Sequence, residues 1–95
     1  MKLDLECVDD LDWAVAHSDG VVELRFGALL VRKIGAEGVT ESIGRFPDLE
    51  RFRVADDYFR EKPERDAFEA SVSTLFPDLA FSWTYDLRID GRHGR

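Results

Sequence analysis

The stretch from Phe81 to Ile89 constrains this chain most. Phe81, Trp83, Tyr85, Leu87 and Ile89 alternate with Ser82, Thr84, Asp86 and Arg88, the two-residue period of a strand with one apolar face. Its large side chains predict a main wall of the core. That wall serves one core only, because 95 residues bury roughly 60–65% of their unfolded surface and do not divide into two domains. Residues 1–90 therefore read as a single domain, and residues 91–95 as a frayed tail.

The remaining elements are placed by the same period rules. Lys2 to Cys7 alternates, with Leu3, Leu5 and Cys7 on one side, and predicts a half-buried strand. Asp9 or Asp10 is suited to cap a short helix that ends near Gly20. Val8, Leu11, Val15 and Ser18 share its core face, whereas Trp13 and His17 turn toward Asp9 and Asp10. Val21 to Ile34 reads as a hairpin turning at Gly27-Ala28. That register sets Leu24 against Val31, Phe26 against Leu29, and Glu23 against Arg32. A third short strand is expected over Val39–Ile43. Pro47 and Pro63 each suit the first turn of a helix. Leu49, Phe52, Ala55 and Phe59 form the stripe of the first such helix. Phe68, Val72, Leu75 and Phe76 form that of the second, which stops at Pro77.

No internal repeat or linker is apparent. The fold class expected is α+β, a mainly antiparallel sheet of 4–5 strands in the order β-α-β-β-β-α-α-β, with helices packed on one face.

Charge narrows the function classes. Twenty acids against 13 bases give −7, a field that disfavours direct contact with nucleic acid or a membrane surface. Residues 1–19 alone hold six acids against Lys2. No apolar run approaches the roughly 20 residues of a spanning helix. A single cysteine, Cys7, forms no internal disulfide, so a reducing, cytoplasmic setting is expected.

Candidate chemistry is sparse. Asp9, Asp10 and Asp12 are clustered carboxylates of the type that holds a hard cation, yet they lack the spaced acids, glycine and terminal glutamate of a calcium loop. Capping and favouring a helix N-terminus is their simpler use, and no metal or cofactor is expected. Cys7 reads as a buried strand cysteine and His17 as a surface histidine. No nucleophile elbow, phosphate loop or metal-spaced Cys/His set is present, so no catalytic residue is assigned.

Trp13 admits two readings. Exposed and ringed by carboxylates, it is the kind of anchor that grips a basic protein. Buried, it tucks under a neighbouring element and leaves only the acids outside. The second acidic zone, from Asp56 to Glu69, is interleaved with arginines as a solvated face; within it Tyr58 lies off the apolar stripe, beside Asp57 and Glu61.

The leading expectation is a non-enzymatic, acidic protein-binding module, monomer or homodimer. It would be an inhibitor or immunity (anti-defence) type protein that occludes a basic site on a nuclease or nucleic-acid-binding partner. The partner-binding residues expected are Asp9, Asp10, Asp12, Trp13, His17, Asp57, Tyr58 and Glu61. The alternative is a small oligomeric metabolite-binding or enzyme-regulating domain with an aromatic-lined pocket on Phe81–Tyr85.

Overall fold

A computed structural model describes residues 1–56, 58–59 and 61–84. Within them strands and helices alternate strictly: β1 (Lys2–Leu5), α1 (Val8–Ala16), β2 (Glu23–Phe26), α2 (Ala28–Ile43), β3 (Arg51–Ala55), α3 (Lys62–Leu75) and β4 (Ala80–Thr84). The four strands form one sheet in the order β1-β2-β3-β4, and all three pairings are parallel. The small α+β domain is therefore present, but the antiparallel sheet is corrected to a parallel one.

Several local assignments change with it. Gly27 is not a hairpin turn: its φ of −75° and ψ of 166° are extended backbone, and it stands immediately before α2. Residues 28–34 and 39–43, expected as strands, are both helical. Glu23 meets Arg51 and Arg53 on the neighbouring strand, not Arg32. Arg51–Ala55, expected within a helix, is β3. Pro47 does not begin a helix. It is the second residue of the turn Phe46–Leu49, closed by the Leu49 N–H donating to the Phe46 carbonyl at 3.3 Å, a position for which its fixed φ is suited.

That turn reveals a repeat missed in the linear reading. Phe-Pro-Asp-Leu occurs at 46–49 and again at 76–79, each time just ahead of a strand. The second copy closes the same way, Leu79 N–H to Phe76 carbonyl at 3.1 Å. Ser18–Val21 makes the equivalent turn ahead of β2, and its Gly20 N–H donates to Asp48 Oδ2 at 2.8 Å, tying adjacent turns together. The chain is thus a short stack of strand–helix units.

Neighbouring parallel strands need a crossover, which the helices supply. With strands laid down in sequence order, crossovers of one hand place every helix on the same face. Burial follows that geometry. Leu5, Phe26 and Val54 share one lateral row with Trp83, and Leu3, Leu24, Phe52 and Phe81 share the next. Phe26, Leu24, Phe52 and Val54 have no exposed surface, packed beneath Leu11, Ala14, Leu30, Val31, Val39, Ile43, Phe68 and Val72 of the helices. Phe26 meets Phe52 edge-on at 5.0 Å.

The opposite face is open and charged. Lys2, Glu23 and Arg51 form one row, and Asp4, Arg25 and Arg53 the next. Arg25 bonds Asp4 at 2.8 Å and Glu6 at 3.1 Å, while Glu23 is shared by Arg51 at 2.8 Å and Arg53 at 3.2 Å. Glu23 and Arg25 are half-buried among more exposed partners, and the pairs fix the register of neighbouring strands.

The wall expected at Phe81–Ile89 is described as far as Thr84; Tyr85–Ile89 and the 91–95 tail lie outside the described residues. No helix among the described residues is long and apolar enough to cross a membrane.

Candidate functional site

The helix α1 forms on a strong local code. Cys7 precedes it in extended backbone (φ −146°) without a side-chain cap. Asp10, in the first turn, accepts the Glu6 backbone N–H at 3.0 Å. That hydrogen bond, joined by others from Cys7, holds the Asp10 carboxyl below its ordinary range. Asp10 therefore caps from inside the helix, not from before it, and its carboxylate is spoken for. Leu11 is buried with Val8 and Val15 half-buried beside it, on the face the spacing predicts, and Ala14 is buried there as well.

The outer face carries the partner-binding candidates. Asp9, Asp12, Trp13 and His17 are all exposed, and Trp13 keeps 52% of its surface in solvent. Its indole stacks on the His17 imidazole with centroids 4.2 Å apart and planes at 19°. His17 Nδ1 lies 2.8 Å from the Trp13 carbonyl oxygen; since a carbonyl only accepts, that nitrogen carries the hydrogen. The histidine ring is thereby held flat against the tryptophan, and the pair projects from the helix as one aromatic plate. Met1, Ser18 and Asp19 complete a shallow depression of about 540 Å³ beside it.

The second group of candidates does not join this patch. Tyr58 is 42% exposed and meets Phe59 edge-on at 5.0 Å, but it follows β3, two strands away from β1, against which α1 packs. Glu61 is exposed and stands at the start of α3, where its backbone N–H bonds Glu64 Oε1 at 3.2 Å. Its role there is to begin a helix. Asp57 lies outside the described residues.

Other chemistry is limited by placement. Cys7 is exposed, not buried in a strand, and stands at the opposite end of α1 from His17, ten residues or about 15 Å along the axis. The two make no thiol–imidazole pair. Among the described residues no group of three His, Cys, Asp or Glu converges on a possible metal position. Phe81 and Trp83 pack inward against Phe68, with the Trp83 indole N–H donating to Glu69 at 3.0 Å.

The open sheet face, with Arg25, Arg51 and Arg53, was not among the expected functional residues. Its signal was the alternation Glu23-Leu-Arg25-Phe and Arg51-Phe-Arg53-Val, hidden by reading the first as half of a hairpin and the second as helix. The chain matches no family model, no curated protein and no solved structure.

Proposed function

We propose that this chain is a non-enzymatic, acidic protein-binding module, of the inhibitor or immunity type, whose α1 face occludes a basic nucleic-acid-handling site on a partner protein. The exposed Trp13–His17 plate is the observation that carries the reading. An indole half out of water and already locked in one orientation adds apolar area on binding with little further ordering. Asp9 lies one turn before Trp13 on the helix and Asp12 is exposed next to it in the chain, and the −7 charge of the whole chain steers a cationic surface toward it. In the complex the carboxylates stand where phosphates would otherwise sit, and the indole fills the centre of the contact.

The test is capture of partners from a lysate at about 50 mM and 500 mM salt, on either side of the screening regime. The partner is then purified and its kinetics measured. Trp13→Ala is expected to weaken binding by roughly 30-fold or more, largely through dissociation. Asp9→Asn with Asp12→Asn is expected to slow association and flatten its salt dependence. A partner whose binding ignores both salt and Trp13 would overturn the reading.

A further inference from the structure

We infer that the groove between the second half of α2 and α3 docks a cationic amphipathic helix of a partner protein, an inference that rests on the protein-binding reading above but on different residues.

The groove originates in the backbone. Gly35 interrupts α2 with φ 73° and ψ 176°, a conformation that residues with a Cβ rarely adopt, and the chain resumes as a second helical segment over 36–43. That segment faces α3 with small side chains, Ala36 and Thr40 on one wall and Ala67 and Ser71 on the other. They leave an open trough of about 660 Å³ instead of an interdigitated helix pair.

The floor is apolar. Phe59 and Phe68 are buried there with rings 4.6 Å apart. Tyr58, at 42% exposure, and Leu75, at 58%, also line the trough; they are two of the five large hydrophobic side chains exposed among the described residues. The Thr40 hydroxyl already donates to the Ala36 carbonyl at 3.0 Å, so an apolar occupant leaves that donor satisfied. From Glu64 to Leu75 the α3 wall runs about 17 Å, enough for three turns of a partner helix presenting side chains at i, i+4 and i+7.

The rim decides the charge of the occupant. Glu37, Glu41 and Glu64 line the trough, and no lysine or arginine does so among the described residues. Glu41 is partly offset by Arg45 at 3.0 Å; among the described residues no cation lines the trough beside Glu37 or Glu64, and Glu64 also accepts the Glu61 backbone N–H at 3.2 Å. A helix with an apolar stripe and flanking lysines or arginines complements both floor and rim, whereas an acidic helix meets like charges.

The probe is an 18-residue peptide of leucine and lysine with leucines on one helical face, beside a twin in which every lysine is glutamate. Each is titrated calorimetrically into the full chain at low salt. The lysine peptide is expected to bind, and the glutamate peptide to bind at least roughly 30-fold more weakly. Ala67→Lys, an exposed helix position where lysine is well tolerated, is expected to weaken the lysine peptide about tenfold. Glu37→Lys with Glu41→Lys is expected to do the same, with circular dichroism reporting that each variant folds. Trp13→Ala is expected to leave peptide binding unchanged.

Equal binding of both peptides, no effect of Ala67→Lys, or no saturation by the lysine peptide up to about 1 mM would each overturn the proposal. Failure of the α1 reading is separate: it shows as a lysate partner indifferent to Trp13→Ala, whatever the peptides do.

Discussion

Replacing Val54 by alanine separates a strand at Arg51–Ala55 from a helix there, because the two predict opposite signs. In β3 Val54 has no exposed surface and lies laterally between Phe26 and Trp83 on the covered face of the sheet. The substitution removes two methyl groups, about 1.6 kcal/mol of transfer free energy, and leaves a void that costs roughly 1 kcal/mol more. The expected loss is about 2.5 kcal/mol, close to a hundredfold in the folding equilibrium and roughly 10–20 °C in melting temperature for a domain this size. On a helix with the stripe Leu49, Phe52, Ala55 and Phe59, Val54 would instead face solvent. There alanine, the better helix former, would stabilise by a few tenths of a kcal/mol. Urea unfolding followed by far-ultraviolet circular dichroism measures the difference, with Arg53→Ala as the control. Arg53 is half exposed on the open face, paired with Glu23 at 3.2 Å, and its loss is expected to cost no more than about 1 kcal/mol. A neutral or stabilising Val54→Ala would refute the buried strand.

Three further outcomes follow from single contacts. The Arg51 hydrogen bond, with smaller help from Lys2 and Arg53, holds the Glu23 carboxyl below its ordinary value of 4.5. Because the folded value is depressed, the stability it supplies is present above about pH 4.5 and is lost as pH falls through the folded value. The gap in urea midpoint between wild type and Glu23→Gln should therefore close on acidification, and a constant gap would count against the pairing. Gly35→Ala forces a side chain into φ 73°, ψ 176°; a loss of about 1–3 kcal/mol is expected, and an unchanged melting temperature would deny the helix break. Cys7 precedes α1 without a side-chain cap, so Cys7→Ser should raise stability by roughly 0.5–1 kcal/mol, measured by calorimetric melting.

Where the linear reading went astray, one structural fact explains much of it. Parallel sheets are usually covered on both faces and read as continuous apolar runs. Among the described residues this sheet is covered on one face only, and Lys2–Leu5, Glu23–Phe26 and Arg51–Val54 each alternate charged and apolar residues, the pattern of an antiparallel hairpin partner. Gly27-Ala28 then looked like the tight turn such a hairpin needs, although the same glycine serves equally well in extended backbone ahead of a helix. Phe52 and Ala55 are both buried, as a helical stripe would have them, yet in β3 they point to opposite faces of the sheet, Ala55 being buried at the end of the strand. Singly, Pro47 and Pro77 signal only a helix boundary or a turn. Read together, as the two copies of Phe-Pro-Asp-Leu, they mark the repeat.

The candidate site divides in the same way. The burial of Ala14 and the engagement of Asp10 with the Glu6 N–H came from the packing. The amphipathic code of α1, by contrast, placed Leu11 inward with Val8 and Val15 and turned Trp13 and His17 outward beside Asp9, because a nine-residue helix with one apolar stripe has only one way to sit on a sheet. The capped start of α3, the turn character of Pro77 and the alternation of Phe81 and Trp83 were likewise local properties of the chain. What only the tertiary structure decided is pairing. Hydrogen bonds between strands carry no side-chain signature, so the sequence did not state that β2 lies between β1 and β3. The partnership of Glu23 with Arg51 and Arg53, the open charged face, and the trough between residues 36–43 and α3 all depend on that order. They are products of which elements become neighbours, and that choice is made by burying one apolar face of the whole sheet at once.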